Sequence, residues 1–127
     1  MAGTSDYLEA AVLDAVLRNT SYTSPSTVYL ALFTSDPTDA GTGTECTGGG
    51  YARQSAAFSR SAGVAQNSSA IEFPTATGSW GTISHIGVMD ASSSGNLLYH
   101  AALSSSKAIT TGDIFRVPSG DLTVTMT

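Results

Sequence analysis

Apolar residues recur at helical spacing at Leu8, Ala11, Val12, Ala15 and Val16, which predicts one amphipathic helix from about Ser5 to Arg18. Asp6 and Glu9 put negative charge in its first turn, Arg18 a cation in its last, and Asn19 is a favourable stop. After Pro25 the pattern changes. In Thr27 to Thr34 (TVYLALFT), Val28, Leu30 and Leu32 alternate with Tyr29, Ala31 and Phe33, so both faces are apolar and a strand buried on both sides, central in its sheet, is expected. Further strands are predicted at Ala52–Phe58, Ala70–Phe73, Thr82–Met89, Leu97–Leu103, Ile114–Val117 and Leu122–Met126. The apolar phase slips within Thr82–Met89, since Ile83 is out of step with Ile86 and Val88, and this points to a bulge near Ser84-His85. In the last strand Leu122, Val124 and Met126 share one face.

Turn chemistry separates these runs. The segment 90–96 (DASSSGN) reads as a hairpin loop and Val117-Pro118-Ser119-Gly120 as a type I turn. Ser35 to Gly50 (SDPTDAGTGTECTGGG) has no periodicity and reads as a long, flexible loop, with Gly48-Gly49-Gly50 supplying flexibility alone. Ser-rich Ser59–Ser69 is too short to be a linker between domains. Short strands, polar turns and one helix predict a mainly β chain: an antiparallel β-sandwich or jelly-roll-like barrel with one N-terminal α-helix, forming one domain over residues 1–127, with the helix at about 5–18 and strands from about 27 to 126.

Composition narrows the function. Only 12% of the 127 residues are charged, about half the share of a typical soluble domain, and Ser, Thr and Gly fill the difference. Uncharged polar surface suits contact between subunits, because no ion has to be desolvated, though β-rich proteins share this composition. The formal net charge of −5, with Arg18, Arg53, Arg60, Lys107 and Arg116 scattered singly, argues against nucleic-acid partners. No apolar run approaches the roughly 18 residues that cross a bilayer, and the first residues carry no basic leader, so no membrane partner is expected. The chain is long enough to fold on packing alone, and its single cysteine, Cys46, excludes an internal disulfide or a multi-cysteine metal site.

Candidate chemistry is sparse. Cys46 or a serine would need an ordered base, and His85 and His100 lie inside predicted strands, where a half-buried structural histidine is the expected role. Asp36, Asp39 and Glu45 could offer oxygens to Ca²⁺, but counting Asp36 as the first ligand of an EF-hand puts Thr47 at the twelfth position, where a bidentate Glu is required. No cofactor, metal site or catalysis is expected. The sequons at Asn19 and Asn67 are read as chance matches. Tyr22, Tyr51 and Trp80 lie in or beside loops, with core or turn packing ranked first for such aromatics, a protein interface second and sugar stacking third.

Four segments in order carry a resemblance: SDYLEAAVLDAVLRNTSYTSPSTVYLALFTSDPTDAGTGTE (Ser5 to Glu45), GGGYARQ (Gly48 to Gln54), FPTATGSWGTISHIGVMDASSSGNLLYHAAL (Phe73 to Leu103) and GDIFRVPSGDLTVTM (Gly112 to Met126). Together they resemble a family of small virion structural proteins of tailed double-stranded-DNA phages, whose members serve as capsid cement or decoration subunits and often bear the label tail fibre protein. The resemblance implies a subunit, made in the host cytoplasm, that binds the outer surface of the major capsid protein lattice, pairs with copies of itself as a dimer or trimer, and stabilises the head. A tail or fibre component that binds a neighbouring tail protein or a host glycan is the alternative. The long loop and the helix are the expected contact elements, with Tyr7, Asp36, Asp39, Thr42, Glu45, Tyr51, Arg53 and Trp80 as candidate interface residues. Removal of Thr42 to Gly49 is expected to leave folding intact and to weaken capsid binding.

Overall fold

The computed structural model of the chain describes residues 3–125. Its elements run β1 (Gly3–Thr4), α1 (Asp6–Leu17), β2 (Val28–Phe33), β3 (Gln54–Ala56), β4 (Phe58–Ser61), β5 (Val64–Asn67), β6 (Ile71–Glu72), β7 (Gly81–Met89), β8 (Leu97–Ile109), β9 (Arg116–Val117) and β10 (Thr123–Thr125). A five-stranded sheet in the order β1-β8-β7-β2-β3 is faced by a three-stranded sheet, β10-β5-β4, and a two-stranded one, β6-β9. Every pairing is antiparallel. The arrangement is sandwich-like, and the sheets do not close into the jelly-roll-like barrel that was the other expectation. The large sheet ends in β3, three residues long, and in the two-residue β1; β3 packs beside β6 and leads through Ala57 into β4, without a hydrogen-bonded ladder that would join the sheets.

The doubly apolar strand behaves as its pattern requires. Leu30 and Leu32 enter the main core with Ile83, Ile86, Phe73, Trp80, Phe115 and Leu122, while Ala31 and Phe33 pack on the opposite face with Met89 and Leu97. The middle position of the sheet belongs to β7, with β2 one strand in from the edge. The expected bulge is present and large: Ile83 pairs with Lys107 and His85 with Ala102, so Ser84 alone faces residues 103–106. β8 continues to Ile109, past the predicted stop at Leu103, because those extra residues bulge outward before pairing resumes.

Three local readings need correction. Ser59–Ser69 contains a hairpin, β4–β5, closed at Ala62 with φ 52, so its serines sit largely on exposed strand positions. Only Arg116–Val117 of the Ile114–Val117 run is strand, and Ile114 is exposed. The turn near Pro118 runs one residue later, with Asp121 N–H donating to Pro118 O at 3.1 Å and Gly120 at φ 83, a glycine position of type II geometry. Leu122 and Val124 are both buried, and Met126 lies outside the described residues.

Asn67 is fully buried and joins these pieces. Its amide donates 2.9 Å bonds to Ser69 O and Pro118 O, and its Oδ1 accepts from Leu122 N–H at 2.9 Å. A buried amide with this many partners is a crosslink. The same burial closes Asn67 to any glycosylating enzyme.

Candidate protein interface

One end of the large sheet is built from three segments remote in sequence. They are the residue 34–53 stretch, the start of α1 and the β7–β8 turn. Ser5 caps α1: its Oγ accepts from Leu8 N–H at 3.2 Å and donates to Leu97 O at 2.5 Å. Asp6 N–H, one of the donors a helix start leaves unpaired, reaches Asp39 O at 2.8 Å, so the helix start is tied to the long loop.

The loop itself is ordered by its own hydrogen bonds. Asp36 Oδ1 accepts from Thr38 N–H at 2.8 Å, Thr42 N–H donates to Pro37 O at 2.6 Å, and Thr34 and Thr44 pair through the backbone at 2.9 Å. Glu45 forms a bridge with Phe33, and Cys46 N–H donates to Leu32 O at 2.9 Å. Cys46 is therefore a core residue at 3% exposure, contrary to the flexible setting expected for it. Burial, with the nearby Glu45 charge, pushes its thiol up to about 11, so it stays protonated at neutral pH. Removal of residues 42–49 would take Glu45 out of its bridge with Phe33 and Cys46 out of the core, so the deletant is expected to lose stability.

Two anchors hold the loop. In the polar one, the Arg53 guanidinium grips Glu45 with both arms, Nε to Oε2 and Nη2 to Oε1, each at 2.8 Å. Arg53 Nη1 also donates to Ala91 O at 2.8 Å and Ser94 O at 2.7 Å, which pins the 90–96 turn. Tyr51 O–H donates to Glu45 Oε2 at 2.6 Å and accepts from Leu32 N–H at 3.1 Å. Burial alone would raise the Glu45 carboxyl, but the hydrogen bonds from Arg53 and Tyr51 and the Arg53 charge outweigh it and hold the group below its ordinary 4.5. Tyr51 moves the other way, since burial and then the Glu45 carboxylate keep its hydroxyl protonated.

The second anchor is aromatic and uses the glycine run. Gly49 O accepts from Trp80 Nε1–H at 2.9 Å and Thr77 N–H at 2.8 Å, with Gly49 at φ 54. A Cβ there would come within 2.8 Å of Gly78 O and 2.9 Å of Trp80 Nε1, so glycine is required by contact as well as by conformation. Trp80 stands edge-on to Tyr51 at 5.4 Å between centroids, and Phe73 stacks on Tyr51 at 6.2 Å. The run is a rigid hook, against the expectation of plain flexibility.

A third contact comes from the two histidines. His100 Nε2–H donates to Asp39 Oδ1 at 2.7 Å, and Asp36 Oδ1 lies 3.9 Å from both His85 Nε2 and His100 Nδ1. Both rings are mostly buried on strands. Among the described residues, no group of three His, Cys, Asp or Glu has the arrangement of a metal site.

Beside these contacts lies an open cleft of about 300 Å³, lined among others by Tyr7, Asp39, Gly43, Glu45, Arg53, Gly95 and Asn96. Four of the eight candidate residues thus meet at one place. Tyr51 lies beneath it through Glu45, Asp36 stands to the side at the histidines, and Thr42 is on the exposed loop surface. Trp80, at 3% exposure, is a core residue with no face for a partner, the first-ranked of its readings. The turn residues Ala91, Ser94 and Asn96 were not singled out in the sequence, because backbone carbonyls leave no trace in residue type.

The family comparison places the chain in a class: it is a phage virion structural protein. The family model for podophage GP4 fiber I protein gp80 matches residues 3–125, and the chain belongs to that family. No curated protein matches it.

Proposed function

We propose that the chain is a non-catalytic building block of a virion fibre, held to a neighbouring virion protein through the end formed by the 34–53 stretch, the helix start and the 90–96 turn. The observation that carries this reading is the fibre family spanning residues 3–125, and the ordered cleft supports the choice of contact surface. Its loops are fixed before any partner arrives, so little conformational entropy is lost on docking. The low charge of the chain favours protein contact over a charged ligand.

A second reading, a cement subunit on the outer surface of the major capsid protein lattice, draws on that same low charge and on the resemblance to decoration proteins. Copy number separates the two. Purified virions and emptied, tailless heads are compared by quantitative mass spectrometry against the major capsid protein. The fibre reading expects a ratio on the order of one percent, the scale of a few appendages. A ratio near one-to-one retained on bare heads overturns it in favour of cement. Within either outcome, Tyr7→Ala and Asn96→Ala together should reduce incorporation while leaving the fold's circular dichroism unchanged.

A further inference from the structure

The large sheet and the β10-β5-β4 sheet leave an apolar mouth between them. Val88 and Leu98 of the large sheet and Val124 of β10, all buried, form its floor, and Val28, Phe58 and the exposed Val64 form its sides. Its volume is about 280 Å³, at the lower end of the range for small-ligand pockets. The mouth lies on the face of the large sheet opposite the cleft at Tyr7. Val88 and Leu98 belong to the main core, whereas Met89 and Leu97, their neighbours in sequence, belong to the second cluster and line that cleft. Among the described residues the two sites share no lining residue.

Arg60 and Tyr99 bring the polar side-chain groups at the mouth, among the described residues. Water held there finds few partners, so an apolar group that displaces it gains affinity. Arg60 supplies the charge. It stands two residues after Phe58 on β4, so both side chains leave the same face of that strand. Its Nη1 donates to Ala62 O at 2.9 Å, which draws the guanidinium to the tip of the β4–β5 hairpin beside the opening. The other three arginines each have a carboxylate, Arg18 that of Asp14 at 3.2 Å, Arg53 that of Glu45 at 2.8 Å and Arg116 that of Glu72 at 3.6 Å. Among the described residues Arg60 has none, and no acidic residue lines the mouth. A guanidinium pairs best with a carboxylate, through parallel N–H bonds. Here the chain supplies the donor and leaves the acceptor to come from outside.

We propose that this mouth binds a single-chain anionic amphiphile, a free alkanoate of roughly eight to ten carbons, with its tail over Val88, Leu98 and Val124 and its carboxylate on Arg60. The length follows from the volume: at about 30 Å³ for each small group, the share of one water in the liquid, the space takes roughly nine chain atoms. The site is independent of the protein interface at the other face of the sheet and of the fibre reading.

Titration of the full chain with alkanoates from hexanoate to dodecanoate, followed by amide correlation NMR, tests it. Octanoate should bind with a Kd of about 1 mM, and affinity should rise about fourfold per added methylene, then level off beyond about ten carbons. The shifted amides should centre on Val64, Val88 and Leu98. Octyltrimethylammonium, with the opposite charge on the same tail, should bind more weakly than octanoate. Arg60 is exposed, so Arg60→Gln should keep the fold, weaken octanoate about threefold to fivefold and leave octyl glucoside unchanged. Ala65→Leu, which fills the space, should weaken all of them. No shift with octanoate up to about 10 mM overturns the proposal. So does affinity that keeps climbing through dodecanoate, equal binding of the cation, or shifts centred on the exposed Leu13 and Leu17 of α1. Other occupants are also separated. Concentration-dependent shifts of the same amides without ligand would give the mouth to a second copy, and pelleting with phosphatidylglycerol vesicles without a response to octanoate would give it to a membrane surface; either result overturns the proposal.

Discussion

The loop of residues 34–50 and the helix α1 reverse the roles their sequences suggest. The loop, rich in Gly and Thr, has the composition of a mobile connection, yet it is bound through Glu45, Cys46 and Gly49 to the core, the sheet and a distant turn. The helix has a regular apolar stripe, yet only its first half docks and its last turn stands exposed. Periodicity reports that a face is apolar, and composition reports conformational freedom in the unfolded chain. Neither reports which partner arrives in the folded one.

The largest effect that would break this contrast is loss of the polar anchor. Arg53→Ala leaves the Glu45 carboxylate mostly buried and its partners at Ala91 and Ser94 unpaired. Removing one member of a buried pair costs about 3–5 kcal/mol, reduced to about 2–4 kcal/mol here because Glu45 keeps some access to water. Thermal denaturation should show a fall of roughly 10 °C for a chain of this size. A fall below about 3 °C would mean that the loop does not depend on this pair.

Next comes Gly49→Ala, which forces a Cβ against Gly78 O in a left-handed conformation and should cost about 2–3 kcal/mol. Urea denaturation measures the loss. The indole emission of Trp80, the single tryptophan, should shift to the red in the folded state as the hook on Nε1 loosens.

Acid tests the polar anchor without mutation. The folded Glu45 carboxyl lies below its ordinary 4.5, so its contribution is fully present above pH 4.5 and is lost as pH falls through the lower, folded value. Arg53→Ala removes the Arg53 hydrogen bond and charge from that depression and leaves only the Tyr51 hydrogen bond to lower the group. The stability gap between parent and variant should therefore hold down to about pH 4.5 and narrow as pH falls further, and a constant gap would show that the carboxylate's charge plays no part.

The smallest effect belongs to the helix. Leu17→Lys replaces a side chain that its own chain does not cover, so monomer stability at micromolar concentration should change by less than about 0.5 kcal/mol. A loss above about 2 kcal/mol in that range would mean that Leu17 is packed within the monomer, and would remove the contrast between the two regions.

Much of the architecture was legible from pattern. The helix, the strand with two buried faces, the bulge at Ser84 and the hairpin loop at 90–96 all follow from spacing and turn residues, because local periodicity and backbone preference act within a few residues. The β4–β5 hairpin was missed because its alternation is weak and serine is neutral to strand pairing. The candidate end was half legible: Tyr7, Asp39, Glu45 and Arg53 do share one cleft, while Trp80 is buried in the core and the histidine contacts to Asp36 and Asp39 were unforeseen. The hydrogen bond between His100 and Asp39 joins residues 61 positions apart, and no local rule pairs them.

What the sequence by itself determined was the class of element at most positions, the absence of any disulfide within the chain from a single cysteine, and an acidic surface of low charge density. What only the tertiary structure decided was closure and cover. The sheets stay open because β3 lies against β6 without forming a hydrogen-bonded ladder with it. The loop is rigid because Glu45 finds Arg53 across the fold, where a partly buried carboxylate needs a cation. The far side of α1 is bare because β8 can pack against only one face of a cylinder.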